Sequence, residues 1–190
     1  KVIFVKINDL VGENKIEYGE RRLIERDLGM HIEGEADVRN PERVFGIVPL
    51  GGRWYFGHYV ESEPVWYHHI KKPHSYSTSL STRVARSVAN IAVPNPEGVR
   101  AIDPCCGIGT VVVEALSMGV NIVGRDINPL VVLGTRKNIA HFGFEGTVTK
   151  GPIEEITENY DVAIIDMPYD LFTHATPEDQ LSILSSARRI

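Results

Sequence analysis

The stretch VRAIDPCCGIGTVVVEALSMG, residues 99–119, passes from a short apolar strand through a glycine turn into a helix. Val99, Ala101 and Ile102 lead to Asp103, and Gly107 and Gly109 permit a turn tight enough to bring backbone N–H groups close to a ligand. From Thr110 onward, Val112, Val113, Ala115 and Leu116 give the helix its apolar positions. In a parallel α/β sheet such a junction holds a nucleotide-type ligand or serves as a plain packing turn. The glycine pair alone leaves both readings open.

Downstream, NIVGRDINPLVVLGTRKNIAHFG, residues 121–143, repeats the pattern. Ile122 and Val123 form a second buried strand ending near Asp126, and the next helix starts at Asn128-Pro129 and stops at Gly143. An acidic residue at the end of a second strand can hold ribose hydroxyls with both oxygens, or act as an ordinary charge at a helix start. Residues 146–151 read as a third short strand, followed by Pro152-Ile153 and an acidic surface run.

In YDVAIIDMPY, residues 160–169, Val162, Ala163, Ile164 and Ile165 form a continuous apolar run expected to be a central strand covered on both faces. Asp166, Met167, Pro168 and Tyr169 follow it directly, at the end of the sheet where ligands bind, or as a strand-ending turn with a buried tyrosine. TPEDQLSILSSARRI, residues 176–190, opens a helix with Thr176 as N-cap, Pro177 at its first position and Asp179 in the capping-box slot. Only four parallel-type strands can be placed, so further C-terminal strands are expected beyond Ile190.

Ahead of the organising stretch, residues 1–60 form one compositional unit. KVIFVKI reads as a strand and residues 16–32 as a helix with apolar Ile16, Leu23, Ile24 and Leu28. ERVFGIVPLGGRWYFGHYV, residues 42–60, reads as two strands joined at Gly51-Gly52. Residues 61–76 are a connector carrying two prolines, Trp66-Tyr67, three histidines and Lys71-Lys72. It is either a linker whose aromatics pack on a neighbouring domain or a surface facing RNA or the cofactor, since lysines neutralise phosphate and aromatics stack on bases. In LSTRVARSVANIA, residues 80–92, Leu80, Val84, Val88 and Ile91 form a helical stripe with Arg83 and Arg86 off its centre.

At 190 residues and 43% hydrophobic, the chain can bury one full domain plus a small one. Its formal net charge of -5 argues against indiscriminate coating of nucleic acid, though a local basic surface stays open. Cys105 and Cys106 are adjacent, which suits neither a disulfide framework nor metal ligation, and His68, His69 and His74 do not make a metal site. No apolar run is long enough to span a bilayer and the start lacks a signal-peptide pattern, so a cytoplasmic location in a reducing compartment is expected.

DMPY, residues 166–169, resembles the D/N-P-P-Y/F signature of amino-group methyltransferases, with Met167 in place of the first proline. DPCCGIGT, residues 103–110, is similar to the cofactor turn of THUMP-containing S-adenosylmethionine-dependent RNA methyltransferases that modify the guanine N2 amine of tRNA, with Ile108 where serine is common. ADVRNPERVFGI, residues 36–47, resembles the end of a THUMP domain, and residues 72–92 resemble the family segment preceding the catalytic core. The resemblance covers nearly the whole chain.

It implies a Rossmann-like α/β methyltransferase sheet over residues 77–190, incomplete at its C-terminus, preceded by part of a small α+β THUMP-like RNA-binding domain over residues 1–60. Completing that domain would need sequence ahead of Lys1. The resemblance further implies S-adenosylmethionine as cofactor, held by Ser79, Asp103, Cys105, Gly107, Gly109, Thr110, Asp126, Ile127, Ile153 and Asp166. Asp126 takes the ribose, and Ile153 packs on the adenine where Pro152 departs from the family's acidic residue. Asp166, Pro168 and Tyr169 are the implied catalytic residues, tRNA the implied substrate, and Lys71, Lys72 and Arg83 the RNA contacts. Asp166 and the carbonyl near Met167 would accept the amine hydrogens, Pro168 stiffen the turn, and Tyr169 stack on an extruded base. Methylation of adenine N6 or another nucleic-acid amine, and a non-catalytic RNA-binding module, are the alternatives. An NAD-binding oxidoreductase fits less well, because the GIG turn lacks the third glycine and DMPY has no task there.

Overall fold

The computed structural model describes residues 1–6, 16–167 and 176–190, and the chain divides into two units, Lys1–Glu63 and Pro64–Ile190. Pro168 and Tyr169 lie outside the described residues.

In the first unit, β1 (Val2–Phe4) pairs parallel with β2 (Phe45–Leu50), and β2 pairs antiparallel with β3 (Arg53–His58). The hairpin turns at Gly51-Gly52, where both glycines have positive φ and any other residue would be strained. Helix α1 (Tyr18–Met30) lies against β1, and Glu25 accepts the Phe4 N–H at 2.8 Å. The expected helix stripe is only partly seen, since Leu23 is exposed while Ile24 and Leu28 are half-buried.

The second unit begins at Pro64, so much of the expected connector belongs to it. A short helix, α2 (Val65–His68), runs into a single 3-10 turn at His69–Lys71, and α3 (Thr82–Ala92) follows. Four parallel strands then form one sheet in the order β6 (Thr147–Lys150), β5 (Asn121–Asp126), β4 (Arg100–Asp103), β7 (Val162–Ala163). The connecting helices are α4 (Thr110–Ser117) and α5 (Pro129–His141), and α6 (Pro177–Ala187) comes last.

The core gathers Ile102, Val112, Val113, Val120, Ile122, Val132, Ile139 and Val148, each almost wholly removed from water. Burying each such side chain is worth about 1.5–3 kcal/mol. Helix ends fall where the residues dictate: Asn128 accepts the Leu130 N–H at 2.9 Å to start α5, and Thr176 and Asp179 form a reciprocal capping box on α6.

Two expectations are corrected. The buried face of α3 is Thr82, Ala85 and Ala89, while Val84 and Ile91 stay exposed, because small alanines let α3 approach α4 closely. The run Val162–Ile165 is not covered on both faces: β7 is the outer strand of the described sheet, with Ile164 buried and Ala163 exposed. Its ladder continues one residue further, where Ile164 donates to the carbonyl of Ile102 at 2.8 Å.

Candidate methyltransferase site

The order β6-β5-β4-β7 places the topological switch point between β4 and β7. The chain leaves β4 through α4 toward β5 on one side, while β7 pairs with β4 on the other, and such a point opens a crevice outside the carboxyl ends of the strands. A cleft of about 770 Å³ lies there, within the usual range for a nucleotide-sized ligand.

Three of its wall residues are the carboxylates that terminate strand segments: Asp103 from β4, Asp126 from β5 and Asp166 after β7. Ser79, Cys105, Gly107, Thr110, Ile127 and Ile153 complete the expected residues that line the cleft. Gly109 does not line it. Its φ of 76° makes it the left-handed N-cap of α4, and a Cβ built there would collide with the Thr135 methyl. Gly109 therefore lets α4 pack on α5, a steric role.

The turn is also wired differently from the expectation that its amides face a ligand. Cys105 N–H donates to Asp103 Oδ1 at 3.3 Å, Cys106 N–H to the Arg125 carbonyl at 2.9 Å, and Gly107 N–H to Asp126 Oδ2 at 2.9 Å. These bonds hold the turn against the end of β5. Thr135 donates to the Gly107 carbonyl at 2.6 Å, and Asn138, wholly buried, donates to the carbonyls of Ile108 and His74. These bonds fix the shape of the cleft floor.

Asp103 is 2% exposed, and burial pushes its carboxyl up to about 8, with the charges of Asp166 and Asp126 adding to the shift. A cation placed beside it would recover the ionised form. Burial likewise raises the Cys105 thiol to about 12 and drives Cys106 upward. Both thiols are poor nucleophiles here, and Cys106 packs beside Gly124 of β5.

The opposite wall comes from the segment after β6. Gly151 N–H donates to the Asp126 carbonyl at 3.0 Å, and Arg125 donates to the Pro152 carbonyl and pairs with Glu155, both at 2.9 Å. This anchoring turns Ile153, 4% exposed, toward the cleft. Helix α6 contributes Asp179, Ser182 and Ile183, with Ser182 donating to Glu154 at 2.9 Å. Tyr76, Thr78, Asn128, Val131 and Glu154 also line the site and were not among the expected residues. Nothing local marks them, apart from their closeness in sequence to Ser79, Ile127 and Ile153.

Beneath the cleft lies a buried ionic cluster that sequence reading missed. Glu114, 0% exposed on α4, meets His69 Nδ1 at 2.8 Å and Arg86 at 3.5 Å. Burial raises the Glu114 carboxyl, and His69 and Arg86 oppose that shift. The His69 ring packs edge-on against Phe142 and Phe144. The signal available was a lone glutamate inside the apolar run VVVEAL, a charge that cannot be buried without partners.

Of the expected RNA contacts, Lys71 and Arg83 are exposed. Lys72 is corrected: it is half-buried and its ammonium donates to Thr110 Oγ1 at 3.1 Å, so it faces the cofactor helix. Among the described residues, no helix is long and apolar enough to cross a membrane.

Comparison with known proteins agrees with this geometry. The family model for the RMKL-like methyltransferase domain (UPF0020) matches residues 70–182. The chain is 30% identical over 183 residues to the tRNA (guanine(10)-N2)-dimethyltransferase of Methanothermobacter thermautotrophicus, covering 88% of this chain and 51% of that protein. It is 29% identical over 148 residues to the human U6 snRNA (guanine-N(2))-methyltransferase THUMPD2, covering 73% of this chain and 28% of that one. The chain thus spans about half the length or less of these curated relatives. Among solved structures, TrmN from Thermus thermophilus superposes with a TM-score of 0.52 at 17% identity, over 98% of this chain and 55% of that one. A "predicted N6-adenine-specific DNA methylase" from Listeria monocytogenes gives 0.51 at 13% identity, over 77% and 49%. These two likenesses establish a shared fold. With a cleft at the switch point, three strand-end carboxylates around it and a matching model over more than half its length, the chain belongs to the RMKL-like methyltransferase-domain family.

Proposed function

We propose that this protein transfers a methyl group from S-adenosylmethionine to the exocyclic N2 of a guanine in tRNA. One observation carries the reading: Asp103, Asp126 and Asp166 converge from three strand segments on a single cleft. The residues suit this ligand. Asp126 has Oδ1 and Oδ2 each accepting one backbone N–H, and each oxygen keeps a lone pair for a ribose hydroxyl. Ile127, Val131 and Ile153 offer apolar surface for a flat base, and Asp103 awaits the cationic amino-acid end. S-adenosylmethionine supplies a methyl already activated on its sulfonium.

The protein's task is therefore to position the acceptor nitrogen and hold the base still. The exocyclic amine of guanine gives its lone pair to the ring, which makes it a weak nucleophile. Asp166, with the carbonyl near Met167, accepts the amine hydrogens and favours a geometry that frees the lone pair. The nitrogen becomes acidic as it gains the methyl carbon, so its proton is lost after transfer. Pro168 would stiffen the turn, and Tyr169 would stack on the base.

In this reading residues 1–60 are part of a THUMP-like RNA-binding domain, and Lys71 and Arg83 offer exposed cations to phosphate. Similarity at 30% identity to a guanine-N2 enzyme supports guanine over adenine. Incubating the protein with tRNA and labelled methyl donor, then digesting to nucleosides, tests it. Label on N2-methylguanosine is expected, and label on N6-methyladenosine would move the assignment to the alternative amine.

A further inference from the structure

The titratable groups of the cleft wall are one-sided. Apart from a tyrosine and the cysteines, they are Asp103, Asp126, Glu154, Asp166 and Asp179, and no lysine, arginine or histidine lines the cleft among the described residues. A zwitterionic ligand entering it would find partners for its cationic groups and repulsion for its carboxylate. One corner differs. Thr110, 5% exposed, lines the cleft as the first residue of α4, and its Oγ1 accepts from the Lys72 ammonium at 3.1 Å.

An ammonium can only donate, so in this bond Oγ1 is the acceptor and the hydroxyl proton is left for another partner. We propose that Lys72 fixes Thr110 as a donor into the cleft, and that this pair receives the carboxylate of the amino-acid end of the methyl donor. Lys72 is thus a positioning residue acting through Thr110. Its ammonium adds positive potential behind the hydroxyl, and the start of α4 adds the favourable end of its dipole. Glu114, one turn further along α4, keeps Lys72 drawn to this place from within the protein. With Glu114 in contact with His69 and Arg86, Lys72 is left to serve the cleft.

The inference rests on the reading of the cleft as an S-adenosylmethionine site, and two ligands separate the two. S-adenosylhomocysteine carries the amino-acid end. 5′-Methylthioadenosine keeps the nucleoside and thioether without it. Calorimetry on the intact protein is expected to show Lys72→Met and Thr110→Val each weakening S-adenosylhomocysteine by about tenfold while 5′-methylthioadenosine changes by less than about twofold. The double variant should be little worse than either single one, because the pair acts as a unit. Thr110→Ser, which keeps the hydroxyl, should recover most of what Thr110→Val loses. Equal losses for both ligands, or no loss for S-adenosylhomocysteine, would overturn the carboxylate role. Lowered tRNA affinity with unchanged S-adenosylhomocysteine affinity in Lys72→Met would overturn it in favour of RNA contact. If the unsubstituted protein bound neither ligand, the cofactor reading itself would fall, and the carboxylate role with it.

Discussion

Gly107 donates its backbone N–H to Oδ2 of Asp126 across 2.9 Å, so the turn after β4 and the end of β5 are held together. The same carboxylate also accepts the Asn128 N–H at 2.9 Å through Oδ1. Asp126 thereby shapes the cleft floor and still presents lone pairs to it. Replacing it with alanine removes a charged acceptor and loosens the turn. Asp126→Ala should weaken S-adenosylhomocysteine binding by about 10- to 100-fold, the cost of one or two charge-assisted hydrogen bonds. Calorimetry showing unchanged affinity would count against the ribose role.

Gly109 makes a separate, purely steric prediction. Its positive φ and the wholly buried Thr135 methyl beside it leave no room for a side chain. Gly109→Ala should lose more than about 2 kcal/mol of stability in urea unfolding, from backbone strain and overpacking together. A variant within about 0.5 kcal/mol of the parent would show that Thr135 and α5 yield easily.

The buried carboxyl of Asp103 gives stability a pH slope of known sign. Its value of about 8 in the folded chain lies above the ordinary 3.8, so the native state holds an extra proton between those values. Stability therefore falls as pH rises through that window. Asp103→Asn removes the titration, and its thermal midpoint should exceed the parent's near pH 8, with the gap closing toward pH 4. A gap that stays constant across the range would contradict the shift. Ligand binding near pH 7 should also release a proton, as the cationic end of the cofactor restores the carboxylate. Calorimetry in buffers of different ionisation enthalpy measures that release, and Asp103→Asn should abolish it.

The Glu114 cluster is expected to be costly to break. Glu114→Ala leaves the buried His69 without its acceptor and takes the carboxylate from the half-buried Arg86, and a loss of about 3–5 kcal/mol should follow in chemical denaturation. A loss below about 1 kcal/mol would mean that water replaces the carboxylate.

Much of the second unit was legible because its signals are local. Asp103, the glycine turn, Asn128-Pro129, Gly143 and the Thr176–Asp179 box each fix a strand end or a helix end within a few residues. What escaped depends on contacts distant in sequence. His69 and Glu114 lie 45 residues apart, and only the folded chain brings them together. The buried face of α3 was misjudged for a related reason. Apolar spacing favoured Val84 and Ile91, but close packing against α4 selected the small Ala85 and Ala89. Gly109 was read as a cofactor contact because a glycine in such a turn serves a ligand or a neighbouring helix with the same sequence signal. Lys72 was read as a phosphate contact because nothing in its neighbours in sequence announces Thr110.

The most direct measurement is nucleoside mass spectrometry of tRNA incubated with the protein and labelled methyl donor, run beside Asp166→Ala. Label on N2-methylguanosine is expected with the parent. For Asp166→Ala we expect loss of at least about 100-fold in transfer with cofactor affinity within a few fold, as when a group acting on the reacting atoms is removed. Label on another nucleoside, or full transfer by Asp166→Ala, would contradict methylation of guanine N2 at this cleft.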